Sequence, residues 1–256
     1  MGGVAAAAVV TIGAVTLIGD DSASTTTTTT AASATTTTST SAAPSSTPTS
    51  SAPPVGPANI DAANLAQLLL TAEEVSSRMS SPGMIPGDLT KEPAAGVNVT
   101  PADCTGVFTP GHSMVYETSG YTGFAAQPVF DPNDGIHKVI QMVASFPDAA
   151  AAQAFYQEQV ADWTGCKFTT LEVAATGGAG GGDTVKTGAV VNTDDNADSE
   201  YLQTILLSDG PPEKMCQRDL TVRANVIIDV RACADNPGGA AWSIMKDIGA
   251  KITGKR

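Results

Sequence analysis

Cys216-Gln217-Arg218-Asp219-Leu220-Thr221-Val222-Arg223-Ala224-Asn225-Val226-Ile227-Ile228-Asp229-Val230-Arg231-Ala232-Cys233 is the stretch around which the chain is organised. Two runs rich in β-branched residues, 220–223 and 226–232, flank Ala224-Asn225, which is the pattern of a β-hairpin. With those two residues as the loop, Cys216 faces Cys233 at a non-hydrogen-bonded position. Cα atoms there lie roughly 4.5 Å apart, near the lower limit of disulfide geometry. The two cysteines can therefore cross-link the hairpin. Ala224 suits the first position of a type I′ turn poorly, because that position needs φ > 0, and a shift of the loop by one residue would break the pairing.

The same register puts Cys216, Arg218, Leu220 and Val222 on one face with Ile227, Asp229, Arg231 and Cys233. Arg218 then lies opposite Arg231, with Asp229 on the diagonal. Two guanidiniums facing each other beside one acid are unfavourable unless a further anion or a polar network joins them. Two readings stand side by side: an internal Arg-Asp cluster satisfied by groups elsewhere in the chain, or a polar cleft in which the arginines meet a ligand's acidic or hydroxyl groups. On the second, Arg218, Asp229 and Arg231 are the candidate ligand-binding residues.

Of the 256 residues, the first sixty are unlike the rest and contain no Lys or Arg. All 13 bases and 24 of the 26 acids fall in residues 61–256, so that part carries a formal charge of −11. So acidic a surface is repelled by nucleic acid and by anionic lipid, which leaves cations, sugars, peptides and neutral small molecules as partners. Residues 3–18 form an apolar run closed by Asp20-Asp21. It is short of the ~20 residues of a membrane span and lacks the basic flank of a signal peptide. Residues 1–20 are expected to be the outer end of a transmembrane anchor or uncleaved signal segment whose upstream part precedes the recorded start. Residues 21–60, almost entirely Thr, Ser, Pro and Ala, cannot bury enough apolar area to offset their backbone entropy and read as a disordered stalk. The membrane would thus be met through the N-terminal segment alone, with the remainder on the extracytoplasmic face or secreted.

The folded domain is expected over residues 61–256. Leu65, Leu68 and Leu69 make a short helical stripe, and Thr71-Ala72-Glu73-Glu74 is a capping box that opens a second helix. Thr100-Pro101-Ala102-Asp103 reads as N-cap, proline at N1 and first-turn acid, which puts Cys104 on a short helix. Residues 120–130 and 136–146 are strands joined by an Asp-Pro-Asn-Asp-Gly turn. Asp148 caps the clearest helix, with Ala152, Phe155, Tyr156, Val160 and Trp163 at helical spacing. Strands follow at 167–173, 184–192 and 201–208, then the hairpin, then a helix over 240–252 with Trp242, Met245 and Ile248 on one face. Strands interrupted by one long helix and bracketed by helices read as a single α+β domain whose mainly antiparallel β-sheet is packed by helices.

Motifs for chemistry are sparse, and none implies a cofactor or a resident metal. The acidic loop 194–200 resembles the start of a calcium loop but has Ser199 at the sixth position and Ile205 at the twelfth. The glycine run 177–182 lacks the Lys-Ser/Thr and helix of a phosphate cradle. His112 and His137 read as surface or turn residues. No nucleophile elbow and no kinase catalytic loop is present.

Cys-Gln-Arg at 216–218, Asn-Val at 225–226 and Asp-Val-Arg-Ala-Cys at 229–233 resemble the extracellular sensor domain of the mycobacterial PknH-type transmembrane Ser/Thr protein kinases. Stand-alone secreted or anchored mycobacterial proteins carry the same domain. Leu68-Leu69-Leu70 before Glu73-Glu74-Val75, Pro101-Ala102-Asp103-Cys104, Gly120-Tyr121 and Trp163 just before Cys166 agree. The resemblance implies disulfides Cys104–Cys166 and Cys216–Cys233 and a cleft that captures an unidentified extracellular small molecule, glycan or peptide, without catalytic activity of the domain's own. Two other functions are open at this point. An envelope hydrolase would show a Ser or Cys bonded to His112 or His137, and an adhesion or scaffold module would show a flat apolar patch.

Overall fold

The computed structural model describes residues 59–176, 182–193, 200–209 and 214–254. The expected anchor and stalk, most of the glycine run and the acidic loop lie outside the described residues. Among the described residues, no helix is long and apolar enough to cross a membrane.

The elements follow in chain order. Helices α1 (Leu65–Leu68) and α2 (Ala72–Met79) precede strands β1 (Ile85–Pro86) and β2 (Val97–Thr100). Helices α3 (Thr105–Phe108) and α4 (Ser113–Tyr116) lead to β3 (Gly123–Phe130), β4 (Lys138–Ser145) and α5 (Ala149–Gly165). Strands β5 (Thr170–Ala175), β6 (Asp183–Thr187), β7 (Val191–Thr193), β8 (Tyr201–Ser208), β9 (Met215–Arg223) and β10 (Val226–Ala234) follow, and α6 (Ala240–Thr253) comes last. The strands form one antiparallel sheet in the order β1-β3-β4-β10-β9-β8-β6-β5-β2, with β7 added beside β8. The fold is α+β, as its pattern of elements requires.

The hairpin takes the register its sequence dictates, with Val226 opposite Arg223 and Cys233 opposite Cys216. Ala224 adopts φ 51°. It is the only one of the two loop residues with positive φ, the sign pattern of a II′ rather than a I′ turn. Asn225 then acts as a clasp: its side chain accepts from the Ile60 amide at 2.7 Å and donates to the carbonyls of Ile60 and Phe146.

β10 lies between β4 and β9 and is covered on both faces. Ile228, Val230 and Ala232 pack with Val139, Val143 and the α6 residues Ile244 and Ile248 on one side. Ile227 packs with Met142, Phe155, Trp163 and Leu220 on the other. The continuous apolar run Val226-Ile227-Ile228 reflects this double burial. Of the polar side chains on this strand, Asp229 is buried with it and Arg231 is partly covered.

Several local expectations need correction. Pro101 is the N-cap of the 3-10 turn Ala102–Cys104 and not its first helical residue, and Thr100 ends β2 instead of capping. The strand expected over 184–192 is broken because residues 188–190 lie opposite only two residues of β8, 204 and 205, which makes a bulge between β6 and β7. The strand after α5 starts at Thr170, since Phe168 takes φ 55° and stays 73% exposed. On α6 the buried stripe is Ala241, Ile244, Met245 and Ile248, and Trp242 lies off it beside Lys246. His112 is no surface residue: it is buried, donates from Nε2 to Val97 O (2.9 Å), and caps α4 by accepting from the Met114 amide at Nδ1.

Candidate functional site

The register of β9 and β10 sets Arg218 opposite Arg231, and the helices decide what happens to the two charges. Arg218 is wholly buried and Asp229 is 2% exposed. Arg218 forms an ion pair with Asp229. Its remaining donors reach Gly106 O (2.9 Å), Val107 O (3.3 Å) and Val230 O (3.3 Å), and its guanidinium stacks 4.8 Å from the centre of the Trp163 ring. Gly106 and Val107 belong to α3, which the Cys104–Cys166 disulfide fastens to the end of α5. The Tyr116 hydroxyl donates to Asp229 Oδ2 at 3.4 Å. Burial pushes the Asp229 carboxyl up, while Arg218 and then Arg231 pull it back. Burial, and then the neighbouring Asp229 charge, push the Tyr116 hydroxyl well above its ordinary value. Arg218 and Asp229 therefore form a saturated interior pair.

Arg231 behaves differently. One guanidinium nitrogen donates to Phe108 O at 3.0 Å, with the group 4.8 Å from the Phe108 ring centre. Desolvation, followed by repulsion from Arg218, lowers its pKa to about 10, so it is still a cation at neutral pH. It is only partly covered, and with Lys138 it lines a cavity of about 360 Å³ walled by Pro128, Phe130 and Ile140. Of the three candidate residues, this one lines a cavity. The hairpin disulfide sits one pair further along, with Cys233 opposite both Cys216 and Lys138.

Other concave sites have different chemistry. A larger groove of about 1330 Å³ runs between α2 and α6, but four of its six charged residues are spent on one another in the pairs Arg78–Asp247 (2.7 Å) and Lys251–Glu74 (3.6 Å). At the β3–β4 turn, oxygen and nitrogen atoms of Asp131, Asp134 and His137 lie within 4.8 Å of one another. Each carboxylate there is already engaged in the turn, Asp131 by Asn133 and Ser81 and Asp134 by Ile136 and His137. Among the described residues, neither histidine is bonded to a Ser hydroxyl or Cys thiol.

The reverse face of the hairpin holds residues that sequence reasoning missed. Gln217 and Asp219 on β9 lie opposite Ile205 and Gln203 on β8. Asp219 is wholly buried and accepts from Gln203 Nε2 at 2.7 Å. Burial raises its pKa from 3.8 to about 7, against the lowering effect of Gln203 and Arg218. Between pH 4 and 7 the folded chain keeps a proton that the unfolded chain has released, so this group's stabilising contribution is complete below pH 4 and is lost as pH rises to about 7. Asp219→Asn is expected to flatten the fall of stability over that window, as read by urea unfolding at several pH values. Parallel curves for the two proteins would contradict it. The signal was available in the alternation Gln217, Asp219, Thr221, which is polar on the face turned away from the cysteines.

The PknH-like extracellular domain model matches residues 60–251. Over 198 residues the chain is 30% identical to the serine/threonine-protein kinase PknH of Mycobacterium bovis and, equally, to that of Mycobacterium tuberculosis. These alignments cover 77% of this chain but only 32% and 30% of the kinases, so the chain spans about a third of their length. The crystal structure of the extracellular domain of PknH from Mycobacterium tuberculosis superposes with a TM-score of 0.71 at 28% identity, over 78% of this chain and 100% of that one. With the family model spanning residues 60–251 and the fold shared, the chain belongs to the PknH-like extracellular domain family.

Proposed function

We propose that residues 61–256 are a non-catalytic sensor domain that captures an extracytoplasmic ligand, held off the membrane by the 21–60 stalk and the 1–20 anchor segment. The observation that carries the reading is Arg231: a cation at neutral pH, beside Lys138, on a cavity with apolar walls, in a chain of formal charge −13. Two concentrated positive charges on an acidic protein suit an acidic group on a ligand, whose apolar part would rest on Pro128, Phe130 and Ile140. Arg218 and Asp229 serve as positioning residues, because they hold α3, and with it the Phe108 carbonyl that orients Arg231. In a receptor kinase such a domain would give binding an intracellular output; in a stand-alone protein it would present or sequester the ligand.

A thermal-shift screen of cell-envelope glycans, peptides and metabolites, balanced between acidic and neutral members, tests the proposal. Acidic members are expected to raise the melting temperature, and Arg231→Gln to reduce their affinity at least tenfold while the apo protein melts within a few degrees of the parent. Hits that survive Arg231→Gln would place the ligand elsewhere.

A further inference from the structure

A second cavity, of about 440 Å³, lies on the opposite face of the sheet, between β8, β9 and the start of α6. Gln217 lines it and is 4% exposed, yet among the described residues its Oε1 has no hydrogen-bond partner. Directly behind, Asp219 Oδ2 is also buried and unpartnered, while Oδ1 is held by Gln203, another wall residue. Buried polar atoms are almost always paired, so two unpaired ones on alternate residues of one strand face, an amide oxygen and a carboxyl oxygen, mark a place where a partner that can both donate and accept is expected from outside the chain. The N-terminus of α6, a 14-residue helix, opens on the same cavity through Gly238 and Gly239, and Gly239 has no side chain with which to cap it. The Gly238 amide is held by Asn236 Oδ1 and the Ala240 amide by Pro237 O, so the first-turn amides of Ala241 and Trp242 are the donors left for a ligand. Trp242, 36% exposed, and the partly buried Tyr201 form aromatic walls.

We infer that this cavity is a binding site for a neutral saccharide of one or two rings, distinct from the Arg231 cavity. The inference follows from which ligands the wall rejects. An anion would find no Lys, Arg or His among the described residues that line the wall. A cation would meet the positive end of α6 and the Lys246 ammonium, 4.2 Å from the Trp242 ring centre. A purely apolar molecule would leave Gln217 Oε1 unpaired. A sugar hydroxyl both donates and accepts, so it can serve Gln217 and the helix amides together, and the C–H face of a pyranose packs on an indole edge. The volume falls within the range of small-ligand cavities.

The test uses the full chain and a panel of glucose, galactose, mannose, arabinose and trehalose, followed by tryptophan fluorescence and by saturation-transfer NMR. At least one sugar is expected to give a saturable change. Trp163 is wholly buried, so Trp242 is the reporter. Gln217→Leu keeps the shape, removes the unpaired oxygen and is expected to weaken binding at least tenfold without lowering the melting temperature, whereas a merely structural glutamine would lower it. Trp242→Ala should abolish the saturation-transfer signal, and glucose 6-phosphate should bind more weakly than glucose. Arg231→Gln should leave saccharide binding unchanged, so loss of the acidic-ligand site and loss of this one are read separately. Absence of saturable binding by every sugar in the panel, or binding indifferent to Gln217→Leu and Trp242→Ala, would overturn the inference.

Discussion

Arg218→Ala is expected to cost about 3–5 kcal/mol of folding stability, the largest loss of any single substitution in this chain. The side chain is wholly buried, and its removal leaves Asp229 charged, 2% exposed and without its counter-ion, with the Tyr116 hydroxyl as the one side-chain donor left to it among the described residues. It also strips donors from the carbonyls of Gly106 and Val107 and a stacking partner from Trp163. The loss should come from the orphaned charge more than from the missing attraction. Arg218→Met combined with Asp229→Leu is therefore expected to recover most of the stability, because replacing both members of a buried pair by apolar groups is often neutral. Guanidinium unfolding of parent, single and double variants measures both effects. A double variant as unstable as Arg218→Ala would show that the α3 carbonyls, and not the carboxylate, are what Arg218 satisfies.

Removing the Cys104–Cys166 bridge by a double Cys→Ala change is expected to cost about 4 kcal/mol. The bridge closes a separation of 62 residues, and loop-closure entropy in the unfolded chain grows with that separation. Cys216–Cys233 spans only 17 residues, for which the same relation gives about 3 kcal/mol. The real difference should be wider, since the β9–β10 ladder already holds the hairpin in register, whereas α3 has no strand partner to keep it on α5. Unfolding each double variant separately measures the order, and a greater loss at Cys216–Cys233 would contradict it. Loosening α3 should also reach Arg231, which is oriented by Phe108 O.

How much of this was legible depended on distance along the chain. The hairpin register, the Thr71 capping box with its Glu74 partner and the Asp148 cap of α5 rest on neighbours within a few residues, and local pattern specifies them. The fate of Arg218 was not legible, because its partners Gly106 and Val107 lie 112 and 111 residues away and reach it only through helix packing on the sheet. Periodicity put Arg218, Asp229 and Arg231 together on one face, yet it could not say that α3 buries the first two and only partly covers the third through its last residue, Phe108. The Gln217-Asp219 row was hidden for a related reason. Its meaning depends on β8 and α6, neither of which announces in sequence which side of the hairpin it covers. Trp242 shows the same limit, as an aromatic at helical spacing that the fold leaves at a cavity rim.

The most direct test of the sensor reading is chemical-shift mapping of the isotope-labelled full chain with the strongest acidic compound from the thermal-shift screen. The expected perturbations cluster at Pro128–Phe130 neighbours such as Val129, at Lys138, Val139 and Ile140, and at Arg231, and vanish in Arg231→Gln. Perturbations confined to the groove between α2 and α6, around Arg78 and Asp247, would contradict the account.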